Sequence, residues 1–245
     1  FRILVIYYLS KLASSMRINI NTKDRGLIPI NTYCINLSPS GSAKGFSTNI
    51  IEDKVIDKFK LDFMSKTLPI IAEKNIEALA QKRQTTLVPY DTQIENLTKE
   101  YGSLGPLVFS FDSGTSPAVK QMRHKLLMAG AGSINLEIDE IGSNLVSNIE
   151  VLNTFLELYD IGKVKQKLIK NTKDNQRTEE IDGRTPTNMM LFGTPSKLLN
   201  GSTTEDEFYS MLDTGYARRC FFGYTKSIAR MEALTPLEVY NMLTN

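Results

Sequence analysis

Apolar residues along the chain form short runs of β-type, separated by longer segments with helical spacing. The β-type runs lie near residues 32–37, 107–112, 134–138, 187–193 and 220–224. Between them, apolar residues recur every three or four positions, as they do on the buried face of a helix. Alternation of strands and helices is typical of a mostly parallel sheet with helices on both faces. The pattern therefore predicts a three-layer α/β fold whose ligand lies at the carboxyl ends of the strands.

The helical segments differ in polarity. The long segment at about residues 52–100 is polar and charged, and we predict that Pro69 and residues 85–90 interrupt it. We interpret it as a solvated helical insertion, and the alternative is an element that reads the substrate. Residues 1–9 are apolar but too few to span a bilayer, so they predict a core helix or strand. Further helices are predicted at 118–128, 144–160 and 204–213.

The composition indicates a globular chain that is not a general binder of polyanions. The chain has 245 residues, 41% of them hydrophobic, and a formal net charge of +2. Any nucleic-acid surface is therefore expected to be local. Cys34 and Cys220 lie in apolar runs, and we interpret them as reduced core residues, as expected in a cytoplasmic protein. The single histidine, His124, excludes a multi-histidine metal site and is predicted on a helix surface.

We expect residues 1–245 to form a single domain. Within it, residues 1–31 would be a lead-in, residues 52–104 the helical insertion and residues 225–245 a C-terminal extension. Because the sequence begins with Phe1 rather than methionine, we expect it to be a fragment of a longer protein.

The segment after the first β-type run has the layout of a phosphate-binding loop. In such a loop, backbone N–H groups and the positive end of a helix dipole hold phosphate oxygens, and a lysine adds a point charge. Against the pattern G-x-x-x-x-G-K-[ST], serine and alanine replace the two glycines, and glycine replaces the hydroxyl residue that binds Mg²⁺. The alternative is a plain turn between a strand and a helix. The candidate phosphate-binding residues are Ser38, Ser40, Gly41, Ser42, Ala43, Lys44 and Gly45.

The hydroxyl that Gly45 lacks needs another source if the loop binds Mg²⁺. Ser47 or Thr48, in the next turn, is a candidate for that oxygen, and water is another. Asp139, at the end of the run near 134–138, would hold Mg²⁺ directly or through water. Its neighbour Glu140 would polarise the water that attacks the γ-phosphate. The alternative for this pair is an ordinary acidic loop.

Other polar residues follow or precede the later runs. Thr194 ends the run near 187–193 and could sense the γ-phosphate or orient water. Arg218 and Arg219 directly precede the last run, and arginine stabilises transferring phosphoryl charge because it is planar and permanently charged. The alternative is an arginine paired with an acidic neighbour such as Asp213. A basic stretch is the best local candidate for contact with DNA phosphate, or else a solvated face. Its lysines are Lys163, Lys165, Lys167, Lys170 and Lys173.

The order of these segments resembles that of the phage- and plasmid-type primase–helicase ATPases, a RecA-like P-loop group of mobile-element replication proteins. The resemblance spans about residues 32–225. It rests on the lysine loop, Asp-Ser-Gly-Thr-Ser-Pro-Ala, Leu-Glu-Ile-Asp-Glu-Ile-Gly-Ser, Met-Leu-Phe-Gly-Thr-Pro-Ser and Gly-Tyr-Ala-Arg-Arg-Cys-Phe-Phe. It implies a RecA-like P-loop NTPase fold with a mostly parallel sheet. It also implies ATP and Mg²⁺ as cofactors and a homo-oligomeric, hexamer-like ring around single-stranded DNA.

The resemblance also implies roles for individual residues. Lys44 would be the phosphate lysine, Asp139 the metal-side carboxylate and Glu140 the catalytic base. Thr194 would be the sensor, and Arg218 or Arg219 the finger that reaches a neighbouring subunit's nucleotide. We therefore expect an ATP-hydrolysing DNA helicase or translocase of phage-type replication in the host cytoplasm, with a primase-like part upstream. The alternatives are a non-hydrolysing nucleotide-binding scaffold and a phage DNA-packaging ATPase.

Overall fold

Parallel strands form the central sheet of this protein. The computed structural model describes residues 2–42, 44–164 and 181–225, together with positions 235, 237, 240, 241 and 244. In these residues the sheet has four strands in the order β4-β5-β3-β6, all parallel. Their bounds are Thr32–Leu37 (β3), Ile134–Ile138 (β4), Thr187–Gly193 (β5) and Cys220–Tyr224 (β6). Asn19–Thr22 (β1) and Gly26–Pro29 (β2) form a separate antiparallel hairpin. The fold is α/β, as the apolar pattern predicts.

Helices cover both faces of the sheet. One face packs against α1 (Arg2–Ser15) and a long helical run that includes α2 (Lys44–Ile51), α3 (Asp57–Asp62) and α4 (Leu68–Arg83). The other face packs against α6 (Ser116–Ala129), α7 (Ile141–Tyr159) and α9 (Thr203–Asp213). The remaining helices are α5 (Tyr90–Ser103), which packs on α4, and the short α8 (Pro195–Leu198). This arrangement is compatible with the three-layer fold.

Alternation along the strands divides the core between the two faces. On β3, Tyr33 and Ile35 lie in the cluster with α7, whereas Cys34 lies in the cluster with α1. On β5, Met189 and Met190 divide in the same way. Both sets of side chains are buried, because parallel strands between helix layers have no face in contact with water. This is why the strand segments are continuous apolar runs in the sequence.

The predicted break at Pro69 is wrong. The chain stays helical from Lys44 to Arg83, since α2, α3 and α4 are joined by π-helical turns at Glu52–Ile56 and Phe63–Thr67. The second of these turns ends where the Leu68 N–H donates to the Phe63 carbonyl, five residues earlier. Such a wide turn relieves the contact between a proline ring and the carbonyl four residues before it. Pro69 therefore follows the π turn without ending the helix.

The predicted strand at 107–112 is reduced to a single parallel bridge between Phe111 and Leu136. Phe111 donates to the Asn135 carbonyl and accepts from the Glu137 N–H, as a strand residue would. The Phe109 carbonyl, however, accepts from the side-chain amide of Asn135 at 2.7 Å. A side chain thus replaces the next bond of the ladder, and the segment runs beside β4 without regular pairing.

The cysteines and the histidine have structural positions. Cys34 and Cys220 are both free thiols, as predicted, and burial raises the pKa of each to about 12. Cys220 pairs in register with Tyr33, the residue next to Cys34, so the two thiols project from opposite faces of the sheet. His124 is only partly on the surface, because its Nε2 lies 2.6 Å from the carboxylate of Glu100 on α5.

Candidate functional site

The sheet has a topological switch point between β3 and β5. From β3 the chain crosses past β5 to reach β4. From β5 it crosses past β3, in the opposite direction, to reach β6. Neighbouring strands that continue in opposite directions open a crevice at their carboxyl ends, where ligands bind in open α/β sheets. The segment from Ser38 to Lys44 follows β3 at this edge, and Thr194 follows β5. The Ser38 N–H donates to the Gly193 carbonyl at 3.0 Å, which ties the loop to the end of β5.

Lys44, Glu140 and Thr194 meet in this crevice. The Thr194 hydroxyl donates to Oε2 of Glu140 at 2.8 Å, and the Thr194 backbone N–H donates to Oε1 at 3.1 Å. The Lys44 ammonium lies 3.7 Å from Oε2 of Glu140 and donates to the Thr194 hydroxyl oxygen at 3.4 Å. Three predicted residues that are far apart in the sequence thus form one polar cluster.

The carboxylate of Glu140 is held in its charged form. Burial raises its pKa, but hydrogen bonds from the hydroxyl and N–H of Thr194 and the charges of Lys44 and Lys197 outweigh that effect. The net result is a pKa below the ordinary value of a glutamate. A carboxylate that is stabilised in this way is a weak base, because a general base works best when its pKa is near the working pH.

The described residues of the small-residue loop, 38 to 42, form a turn. Ser38 is buried, and its hydroxyl oxygen accepts from the Ser42 hydroxyl at 2.7 Å. Gly41 has φ of +79°, a left-handed conformation that glycine adopts without strain. Ser40 is exposed, and Ala43 lies outside the described residues. Gly45 is in the first turn of α2 and contributes no side chain.

Asp139, unlike its neighbour Glu140, lines a cavity beside α2. It is exposed, and this cavity of about 490 Å³ lies on the α1 side of the sheet and is also lined by Thr48 of α2. The Thr48 hydroxyl donates to the carbonyls of Lys44 and Gly45, within its own helix. Ser47 is half-buried in the same turn. Among the described residues, no group of three or more His, Cys, Asp or Glu side chains is placed to hold a metal ion by itself.

The two arginines lie away from this crevice. They precede β6, which is parallel to β3, so they lie at the amino edge of the sheet. A five-residue strand spans about 17 Å, and that is the separation of the two edges. Arg219 donates to Asp160 at 2.9 Å and stacks 5.5 Å above the ring of Tyr159. The acidic partner is therefore Asp160, not Asp213, and Arg218 is the more exposed of the two arginines.

Only one lysine of the basic stretch lies in the described part of the chain. Lys163 is half-exposed, and its ammonium lies 2.6 Å from the carboxylate of Asp182. Lys165, Lys167 and Lys170 fall outside the described residues.

Sequence reasoning missed two other polar groupings. Lys197 of α8 places its ammonium 3.8 Å from Oε2 of Glu140. Lys11 of α1 is completely buried beside Glu137 of β4. Glu137 lies between two buried apolar residues of its strand, and that position was a usable signal, because a carboxylate there needs a partner. Lys197 had no such signal, since only the packing of α8 brings it near Glu140.

Comparison of the sequence with protein-family models and with curated proteins finds no match, and neither does comparison of the fold with solved structures. Within the described residues, none of the helices has the length and the apolar character needed to cross a membrane.

Proposed function

We propose that this protein is an ATP-hydrolysing DNA helicase or translocase with a RecA-like fold that acts as an oligomer in phage-type replication. The observation that carries the proposal is the cluster of Lys44, Glu140 and Thr194 at the switch point of a parallel sheet. A cation, a carboxylate and a hydroxyl converge there from the ends of three strands. The DNA and replication parts rest on the resemblance to phage- and plasmid-type primase–helicase ATPases.

The cluster suits the cleavage of a phosphoanhydride. Lys44 would bind phosphate oxygens, and the N–H groups at the start of α2 would add the positive end of a helix dipole. Phosphate at Lys44 would compete with Glu140 for the ammonium, because both are anions. Glu140 would then be less strongly stabilised as an anion and better able to accept a proton from water. Thr194 would hold either the carboxylate or a phosphate oxygen.

The described residues offer Mg²⁺ a carboxylate ligand, that of Asp139. This ion is usually bound by one or two carboxylates together with substrate phosphates and water. Asp139 is exposed in the cavity that Thr48 also lines, so it can supply that carboxylate directly or through water. The Thr48 hydroxyl donates its proton to carbonyls of its own helix, which leaves the oxygen lone pairs free for an ion, and Ser47 is the other hydroxyl candidate. The ion would neutralise charge on the β- and γ-phosphates.

The oligomeric part of the proposal assigns the finger to Arg218. An arginine at the amino edge of the sheet cannot reach the crevice of its own subunit, but it can reach that of a neighbour. Arg219 is already paired with Asp160, whereas Arg218 is exposed. For DNA, the exposed pair of Lys163 with Asp182 is weak enough to exchange for a phosphate. Lys165, Lys167 and Lys170 stay candidates from the sequence.

Steady-state ATP hydrolysis, with and without single-stranded DNA, tests the proposal. We expect DNA-stimulated turnover in the wild type and a loss of at least about 100-fold in Glu140→Gln, with nucleotide binding retained. Glu157→Gln is the matched control, because Glu157 is exposed near the other end of α7 and should have full activity. Absence of turnover in a folded, oligomeric wild type under every DNA condition would refute the motor.

A non-hydrolysing nucleotide-binding scaffold is the second candidate. Gly45 lacks the hydroxyl that usually binds Mg²⁺ in this position. This candidate predicts that the wild type binds nucleotide without turnover. It also predicts that Glu140→Gln changes neither assembly nor binding of nucleotide.

A further inference from the structure

Lys197 converges with Lys44 on a single carboxylate oxygen. Their ammonium groups lie 3.8 Å and 3.7 Å from Oε2 of Glu140, respectively. Lys44 comes from the helix after β3, and Lys197 from the helix after β5. The two cations therefore approach the crevice from the two strands that form the switch point.

The donors around Glu140 form a binding site for an anion. Besides the two ammonium groups, the carboxylate accepts hydrogen bonds from the N–H and the hydroxyl of Thr194. Terminal phosphate oxygens need the same donors: ammonium groups, a backbone N–H and a hydroxyl. We propose that Lys197 is a second phosphate-contacting cation, which pairs with Glu140 and transfers to the terminal phosphate of a nucleoside triphosphate. This inference rests on the proposed function.

Packing supports the position of Lys197. Its backbone N–H donates to the Thr194 carbonyl at 2.9 Å, so the residue is fixed relative to the end of β5. A Cβ atom on Gly142 would lie 3.3 Å from Cβ of Lys197 and 3.4 Å from Oε1 of Glu140. Because Gly142 has no side chain, α8 can pack against the first turn of α7. The stem of Lys197 is therefore held close to Glu140, although 61% of the side chain is exposed.

The proposal predicts discrimination between triphosphate and diphosphate. A cation that contacts the terminal phosphate stabilises ATP but has no partner in ADP. Lys197→Ala should therefore raise the Kd for a non-hydrolysable ATP analogue about five- to twenty-fold and the Kd for ADP less than about two-fold. Lys197→Arg should restore part of the affinity, because it retains the charge. A purely structural role would weaken both nucleotides together, without rescue by arginine.

Isothermal titration of the full chain with each nucleotide in Mg²⁺ buffer measures these constants. Lys99→Ala is the matched control, because Lys99 is an exposed lysine that pairs with Glu95 far from the crevice, and it should change neither Kd. Thermal unfolding by circular dichroism confirms that each variant is folded. Equal changes for the two nucleotides, or no change for either, would overturn the role of Lys197 while leaving the proposed function intact. A wild type that binds neither nucleotide would overturn both.

Discussion

The ion pair between Lys11 and Glu137 predicts a large loss of stability when Glu137 alone is neutralised. Lys11 is fully buried, and its ammonium lies 2.5 Å from a carboxylate oxygen of Glu137. Tyr7 donates to the same oxygen at 2.7 Å, and a carboxylate oxygen of Glu52 lies 3.6 Å from the ammonium. The pair joins α1 to β4, so it links the outer helix layer to the sheet.

Glu137→Gln should lower the free energy of unfolding by about 3–5 kcal/mol, because it leaves a buried ammonium without its nearest counter-charge. Glu52 is more distant and 32% exposed, so it compensates only in part. Lys11→Met should cost less, since Glu137 is 22% exposed and keeps its hydrogen bond from Tyr7. The double variant Lys11→Met/Glu137→Leu should recover much of the loss, because apolar replacement of both partners is often neutral.

Urea unfolding followed by far-UV circular dichroism measures these free energies, and it suits a chain without tryptophan. Glu95→Gln is the matched control, because it removes an exposed partner that lies 2.7 Å from Lys99. That exposed pair should contribute little, because water screens the two charges. In thermal unfolding, the loss in Glu137→Gln corresponds to a Tm that is lower by about 6–20 °C. If Glu137→Gln costs no more than Glu95→Gln, the argument from the buried charge is refuted.

Two further predictions concern the crevice. Gly193→Ala should lower the free energy of unfolding by about 1–3 kcal/mol, because the new Cβ would lie 2.9 Å from side-chain carbons of both Leu37 and Ile141. An unchanged midpoint in urea unfolding would contradict this packing. The lowered pKa of Glu140 contributes stability above the ordinary glutamate pKa, and that contribution is lost as the pH falls through the folded-state value. Between about pH 5 and pH 3, the free energy of unfolding of Glu140→Gln should therefore fall less than that of the wild type. Parallel losses in both proteins would show that the hydrogen bonds from Thr194 do not stabilise the carboxylate.

The strands were predictable because buried strands are runs of apolar residues in the sequence. A strand between two helix layers has no polar face, so β3, β4 and β5 are apolar runs that stand out from the amphipathic helices. The ends of α6 depend on local residues as well, since Thr115 accepts from the Ala118 N–H at its start and Gly130 ends it in a left-handed conformation. The failure at Pro69 came from a π turn, a local feature that apolar spacing does not reveal. The failure at residues 107–112 came from the side chain of Asn135, which is distant in the sequence.

The candidate site was predictable by residue type but not by contact. Sequence alone placed Lys44, Glu140 and Thr194 after three strands, and parallel strands have their carboxyl ends at one edge. Only the strand order decided that β3 and β5 are neighbours, and so that these side chains lie within hydrogen-bonding distance. Sequence gave no means to rank Arg218 against Arg219, since the partner Asp160 lies 59 residues away.

The amino-acid sequence by itself determined the α/β class, most of the strands and the residue types at their ends, because these depend on the spacing of apolar and polar positions. The tertiary structure decided which charges meet. Lys197 reaches Glu140 because Gly142 lets α8 pack closely, and Lys11 reaches Glu137 because α1 crosses that face of the sheet. Such pairs join residues from distant parts of the chain. Their energies depend on burial and distance, which no local pattern of residues contains.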